Sequence, residues 1–350
     1  MSVLRVALNG YGRIGRNLHR ILIGNTKVQL VAINNQRLEA PMRAHLLKYD
    51  SLHGKLDAEI SYTENSLIVN GETILLLAFS DAREVPWKEL DIDVVVSATG
   101  RARTKEEAQK FLDAGAKKVL VSAPMKDDTP TFVFGVNDED ITADLTIMSN
   151  ASCTTNSIAP PLKLIEETYG IENVFVSSIH SFTNSQNLLD NMGKDLRRAR
   201  SAVQNIIPTT SGAMQATAKV IPSLQGRIDG IAFRIPLATS SISDVCAVLK
   251  KDTTAEEVNN LFRKAAAGKM KNVLEVCEEP LVSIDFKTNP HSAIIDALTT
   301  KVVGGKYLQF LSWYDNEWGY ANRLKDFLEK LATFKKWRKS MKNVEWKMEK

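Results

Sequence analysis

LRVALNGYGRIGRNLHRIL, residues 4–22, decides the fold. Leu4 to Leu8 is a strand-like apolar run, and Ile14, Leu18, Ile21 and Leu22 then recur at helical spacing. Between the two runs Gly10, Gly12 and Gly15 spell GxGxxG, a spacing that lets backbone N–H groups approach a pyrophosphate at a helix N-terminus. Alone the pattern also fits a plain tight turn. Its place between a strand and a helix, with a second strand over residues 28–33, makes it a dinucleotide-binding βαβ unit.

Such a unit ordinarily ends its second strand in a carboxylate that holds the adenosine ribose hydroxyls. Here the stretch reads Asn34, Asn35, Gln36, Arg37. Two readings stay open. With the acid gone and Arg37 close by, a 2′-phosphate becomes tolerable. Alternatively Asn35 hydrogen-bonds the ribose as the acid would, and Arg37 is a solvated surface residue. The expected cofactor is NAD and/or NADP.

Further along, residues 94–96 form a short buried-strand run, a helix starts near Thr104 with Glu107 at capping-box spacing and Gly115 as its stop, and residues 118–121 form the next strand. This rhythm argues for a parallel doubly wound sheet. After about residue 170 the texture changes to Val-, Ile-, Ser- and Thr-rich runs at 173–180, 230–236 and 241–250, the signature of a second, mainly antiparallel sheet. Thr253 and Glu256 are placed to cap a helix carrying Val258, Leu261, Phe262 and Ala265, and a last helix with Leu324, Phe327, Leu328 and Leu331 on one stripe packs back onto the first domain. The expected fold is α/β: a Rossmann-type dinucleotide-binding domain (1–152, joined by helix 317–334) and an α+β catalytic domain (153–316), followed by a basic tail (335–350).

The 350 residues are 44% hydrophobic and 25% charged, which excludes disordered and collagen-like classes. No apolar run approaches the ~18 residues of a membrane span and the chain starts without a leader pattern, so the expected address is the cytoplasm. Seven basic and two acidic residues after Phe334 give the tail +5 of the total +4, leaving a body near neutrality. The tail reads as a solvated chain end or as a basic amphipathic segment for a partner. Three cysteines, Cys153, Cys246 and Cys277, make no disulfide framework and no pair has zinc-site spacing, so no metal is expected.

Cys153 lies in SNASCTTN, residues 149–156, where a helix carrying Ile158, Leu162 and Ile165 begins. A helix N-terminus stabilises a thiolate, and this polar setting suits a nucleophile. Cys246 and Cys277 sit in core or strand patterns instead. The best base is His180, at the end of its strand and one helix and one strand from Cys153. His19, His45, His53 and His291 have no nucleophile candidate nearby.

GYGRIGR, SNASCTTN and SWYDNEWGYANR, together with KYDSLHGKL, VVVSATG, GAKKVLVSAP, KDLRRARSAVQNIIPTT, AFRIP and NPHSAIIDA, resemble in order the phosphorylating glyceraldehyde-3-phosphate dehydrogenases and the related erythrose-4-phosphate dehydrogenases. The resemblance runs to about residue 334 and implies a homotetramer that oxidises glyceraldehyde 3-phosphate through a thioester resolved by inorganic phosphate. It implies Cys153 as nucleophile and His180 as base. Asn316 would orient the nicotinamide carboxamide with Tyr320 near the ring. Gly10, Arg13 and Ile14 would meet the pyrophosphate, with Ser97, Thr99 and Ser122 along the cofactor. Thr183 and Arg234 would hold the substrate phosphate, and Ser152, Thr154, Arg197, Ser211 and Gly212 the incoming one. Departures from the family pattern are Asn35 for the usual Asp, Asn191 and Met192 for Leu-Pro, Ser185 for Asp and Ser157 for a second cysteine. Alternatives are oxidation of erythrose 4-phosphate, with water resolving the thioester, and a non-catalytic scaffold or nucleic-acid-binding role of the tail. No nucleic-acid or membrane partner is established by the sequence.

Overall fold

The computed structural model describes residues 3–36, 39–193 and 195–334; Arg37 and the basic tail 335–350 lie outside the described residues. The chain opens with β1 (Leu4–Asn9), α1 (Arg13–Leu22) and β2 (Val28–Asn34), followed by α2 (Ala40–Lys48) and a small hairpin of β3 (Tyr49–Asp50) and β4 (Gly54–Lys55). A meander of β5 (Ile60–Thr63), β6 (Ser66–Val69) and β7 (Glu72–Leu77) leads to β8 (Val94–Ser97), α3 (Lys105–Asp113), β9 (Lys118–Val121) and β10 (Ile147–Ser149). These strands form one sheet in the order β10-β9-β8-β1-β2-β7-β6-β5, parallel from β10 to β7 and antiparallel beyond. The strand order reverses at β1, so a crevice opens at the carboxyl ends of β1 and β8, where ligands bind in sheets of this kind.

The second half runs α4 (Cys153–Thr168), β11 (Ile171–Ser181), β12 (Ile207–Thr209), α5 (Ala213–Val220), β13 (Ile228–Ile235), β14 (Ser241–Leu249), α6 (Ala255–Ala267), β15 (Leu274–Cys277), β16 (Ala293–Val303), β17 (Tyr307–Tyr314) and α7 (Trp318–Thr333). Its sheet, β12-β13-β11-β14-β17-β16-β15, is mainly antiparallel, but β13 pairs parallel to β11 and β15 parallel to β16. Helices α4, α5 and α6 bury one face through Leu162, Met214 and Phe262. The other face leaves Phe175, Val303 and Tyr307 about half exposed or more.

Helix α7 returns to the first domain. Leu324, Phe327, Leu328 and Leu331 are fully buried in one cluster with Leu8, Leu18 and Leu22 of β1 and α1. The α6 cap differs by one residue from the sequence expectation: Thr254, with Glu257, makes the capping box, because the Thr253 N–H is held by the Gly305 carbonyl at 2.8 Å.

Candidate active site

The glycine loop is shaped by what cannot fit around it. Gly10 has φ +109°, and a Cβ there would stand 2.8 Å from the Ala98 carbonyl carbon. A Cβ on Gly15 would stand 2.4 Å from the Gly10 oxygen. Gly12 meets nothing within 4 Å; its missing side chain leaves room on the cleft side of the loop. No side chain caps α1 at Gly12, so the first N–H groups of the helix are left for an anion. The loop borders a cleft of about 1410 Å³ that continues past Asn35, Thr99 and Ser122 to Cys153, His180, Thr183, Arg234, Asn316 and Tyr320. A bare helix N-terminus under an open glycine, at one end of a long cleft, fits the diphosphate of a dinucleotide.

Several expected cofactor contacts are positioned by side chains the sequence did not single out. Ile14 lines the cleft beside the loop. Each nitrogen of the Arg13 guanidinium has a carboxylate partner: Nε donates to Glu317 Oε2 at 2.9 Å, Nη2 to the same carboxylate at 2.6 Å, and Nη1 to Asp50. At the first position of α1 its backbone N–H has no intrahelical acceptor. Ser97 is buried behind the cleft, while Ser122 donates to the Ser97 carbonyl at 2.9 Å. Asn35 borders the cleft with its Oδ1 3.5 Å from the Tyr11 N–H, a long contact, and its carbonyl accepts from the buried Arg43. Asn316 accepts at Oδ1 from Ser181 Oγ (2.8 Å) and Ser241 Oγ (3.2 Å), which leaves its NH₂ for a ligand. Tyr320 donates to the Ala151 carbonyl at 3.0 Å and so braces the turn before the nucleophile.

That turn is wound by its own sequence. Ala151 has φ +53°, Ser149 Oγ accepts from the Ala151 N–H at 3.0 Å, and Asn156 Nδ2 donates to the Asn150 carbonyl at 2.8 Å and the Ser152 carbonyl at 2.9 Å. Ser152 caps α4, accepting from the Thr155 N–H at 3.1 Å. Cys153 is thus the first helical residue, and its Sγ lies 3.4 Å from His180 Nε2. Burial pushes the Cys153 thiol up from its ordinary value, ahead of Arg234 and the Thr154 N–H, which pull it down. The N–H groups at the start of α4 thus act on the thiol in the expected direction, against burial, and the His180 imidazole lies within hydrogen-bond reach of it.

Burial, then the charge of Arg234, push the His180 imidazole down to about 3 against the pull of the Ser181 carbonyl, so the ring stands neutral opposite the thiol at pH 7 and is a weakened base in this setting. Its Nδ1 lies 2.7 Å from that carbonyl oxygen, to which Arg234 Nη1 also donates at 2.9 Å; since a guanidinium only donates, the carbonyl and the guanidinium call for opposite tautomers of the ring, and Nε2 is the nitrogen that faces Sγ in either. His180 and Arg234 are register partners on the parallel pair β11 and β13, which sets the guanidinium beside the ring, with Nη1 2.6 Å from Nδ1. Thr183, whose hydroxyl meets Ser185 Oγ at 2.9 Å, borders the same end of the cleft.

The three neighbouring arginines separate clearly. Arg197 is exposed, and its backbone N–H is what Asp195 binds, at 2.9 Å. Arg198 is the one that turns inward, donating from Nε to Thr209 Oγ1 at 2.7 Å and from Nη2 to the Thr210 carbonyl at 3.1 Å. On β12, Thr209 pairs with Ala232 of β13, two positions from Arg234, so Arg198 rather than Arg197 is the arginine of this run tied to that strand pair. Ser211 and Gly212 precede α5, with Ser211 Oγ accepting from the Ala213 N–H at 3.2 Å. Ser152 borders the cleft, but the Thr154 hydroxyl is buried against Tyr314 Oη at 3.0 Å and leaves only its backbone N–H near the nucleophile. Arg198, Glu317, Ser181 and Ser241 were missed. Within RRAR no local pattern distinguishes one arginine, and the other three act through partners 60 or more positions away in sequence.

Comparison with known proteins agrees with this arrangement. Residues 4–105 match the family model for the glyceraldehyde 3-phosphate dehydrogenase NAD binding domain, and residues 152–316 the model for the C-terminal domain of that enzyme. The chain is 47% identical over 330 residues to glyceraldehyde-3-phosphate dehydrogenase 2 of Bacillus subtilis, covering 94% of this chain and 97% of the relative. It is 46% identical over 331 residues to the Geobacillus stearothermophilus glyceraldehyde-3-phosphate dehydrogenase (94% and 98%), and 47% identical over 329 residues to that of Thermotoga maritima (93% and 98%).

Proposed function

The chain belongs to the glyceraldehyde 3-phosphate dehydrogenase family, and from that membership we propose that it oxidises glyceraldehyde 3-phosphate to 1,3-bisphosphoglycerate with an NAD(P) cofactor and inorganic phosphate. The observation that carries the chemistry is the 3.4 Å pair of Cys153 Sγ and His180 Nε2 at the far end of the cleft from the glycine loop. Cys153 attacks the aldehyde carbon, its thiol proton passing by way of His180 to the carbonyl oxygen, and forms a thiohemiacetal. His180 takes the hydroxyl proton as that carbon is oxidised to a thioester. The nicotinamide ring, when bound, supplies the hydride acceptor. Thr183 and Arg234 hold the substrate phosphate. Arg198, Ser211 and Gly212, with Ser152 and the Thr154 N–H, hold the attacking phosphate, which releases the acyl phosphate and returns Cys153. Paired guanidinium and hydroxyl donors suit such oxyanions.

A steady-state assay of glyceraldehyde 3-phosphate and erythrose 4-phosphate, each with and without phosphate, tests the reading. Expected is phosphate-dependent turnover of the triose; phosphate-independent oxidation of erythrose 4-phosphate to the acid as the faster reaction overturns it. Cys153→Ser removes turnover while cofactor binding persists, and His180→Asn lowers kcat by about 10²- to 10⁴-fold. A cytoplasmic address and a homotetramer belong to the same proposal, as does the division at residues 152/153 with α7 rejoining the first domain.

A further inference from the structure

Residue 316 stands where the two domains meet. Its own side chain is anchored to the catalytic sheet by Ser181 at the end of β11 and Ser241 at the start of β14. The next residue, Glu317, reaches the other way. Its carboxylate takes Arg13 Nε and Nη2 in a bidentate grip at 2.6 to 3.0 Å, and Arg13 is the first residue of α1, directly after Gly12 of the glycine loop. Asn17, one turn further along α1, donates to the same carboxylate at 3.4 Å, and His53 lies over the Trp318 ring with centroids 5.1 Å apart. Asp50 closes the cluster on the remaining arm of Arg13. A bidentate, largely buried guanidinium–carboxylate pair is geometrically rigid.

From this juxtaposition we infer that Glu317 and Arg13 form a staple that fixes the spacing between the two ends of the dinucleotide site, with Glu317 as the positioning residue for the Asn316 amide. The inference rests on the reading of the cleft as a dinucleotide site. One end is the backbone cradle at Gly12 and Arg13; the other is the Asn316 NH₂. Both residues border the cleft, but this role requires no contact of the Glu317 carboxylate or the Arg13 guanidinium with the ligand. Their contribution arises only when one molecule spans both ends. ADP, which carries the pyrophosphate but no nicotinamide, is indifferent to the staple. NAD, which engages the cradle and Asn316 together, gains from it. The expectation that Arg13 meets the pyrophosphate is thereby assigned to its backbone N–H, since each guanidinium nitrogen has a carboxylate partner.

Calorimetric titration of the full chain with ADP and with NAD separates the two roles. Expected for Glu317→Gln is an NAD Kd raised by about tenfold or more, with the ADP Kd changed by less than about twofold. Arg13→Met gives the same split, and the double variant is no worse than either single one, since both changes break one contact. If Arg13→Met weakens ADP as much as NAD while Glu317→Gln weakens neither, Arg13 is a direct phosphate ligand and the staple is overturned. Equal weakening of ADP and NAD by Glu317→Gln, or additive losses in the double variant, overturns it as well. A parent chain that binds neither nucleotide contradicts the cofactor reading itself. Denaturant unfolding of the same four proteins then still tests the pair, because independent, additive stability losses would show that Arg13 and Glu317 are uncoupled.

Discussion

Asn35 carries the cofactor question. An acid at the end of β2 would repel a 2′-phosphate; the amide does not. On the same rim the carboxylate of Asp81 is held by Arg83 at 2.6 Å, so its charge is locally compensated. The expected outcome is activity with NADP as well as NAD, and Asn35→Asp should raise the NAD to NADP ratio of kcat/KM by at least about tenfold, equivalent to about 1.4 kcal/mol. A parent enzyme with no NADP activity at millimolar cofactor, or a variant with an unchanged ratio, would show that Asn35 merely replaces the acid on the ribose. At this scale the sequence was legible where one residue had one plausible task. Cys153 stood out from Cys246 and Cys277 by its polar, helix-starting surroundings, and His180 by its place at a strand end. Arg198 was not legible, because its identity depends on which arginine of RRAR the Asp195 turn points at Thr209, a matter of local backbone direction.

Helix ends position the chemistry, and they explain what could and could not be read at the level of elements. Thr104 and Glu107 offered one capping register, and Thr104 does cap α3. For α6 the register read from the sequence, Thr253 with Glu256, gave way to Thr254 with Glu257, one residue on, because the Thr253 N–H is held by the carbonyl of Gly305, distant in sequence. The start of α7 is tied to α1 by the Arg13 cluster, which makes its stability depend on pH. Burial alone would raise the carboxyls of Asp50 and Glu317. Arg13 and the N–H groups of His53 and Leu52 hold Asp50 well below the usual carboxylate range, and the His53 ring, then Arg13, lower Glu317. Carboxyls depressed in the folded state contribute stability that is complete above their unfolded values, about 4, and is lost as pH falls below them. Asp50→Asn should therefore cost about 1.5–3 kcal/mol at pH 7, the scale of a charge-assisted hydrogen bond, and lose less than the parent between pH 5 and pH 3. Urea unfolding across that range checks both statements; a variant as acid-sensitive as the parent would remove Asp50 from the account.

Two apolar surfaces on the whole molecule bear on assembly. One is the loop after His180, where Leu189, Met192 and Leu196 are 72%, 97% and 88% exposed. The other is the outer face of the second sheet, where Phe175, Val303 and Tyr307 stand 52%, 67% and 49% exposed. The amino-acid pattern marks these strands as apolar but cannot say that helices cover only one face. Large exposed apolar areas on a folded chain mark interaction surfaces. A closed symmetric assembly with one self-complementary patch stops at a dimer, whereas two independent self-complementary patches generate a tetramer of dihedral symmetry. Two patches on different elements therefore favour the homotetramer, four chains of 38.9 kDa each. Light scattering after gel filtration should give about four times the chain mass. Val303→Asp should split the particle to dimers by charging the sheet face, Leu189→Asp should do the same through the loop, and the double variant should run as a monomer. A parent that is already monomeric overturns the assembly. So would a single variant that dissociates fully to monomers, because the two patches would then not be independent, and the argument from two surfaces to four chains would fail at that step.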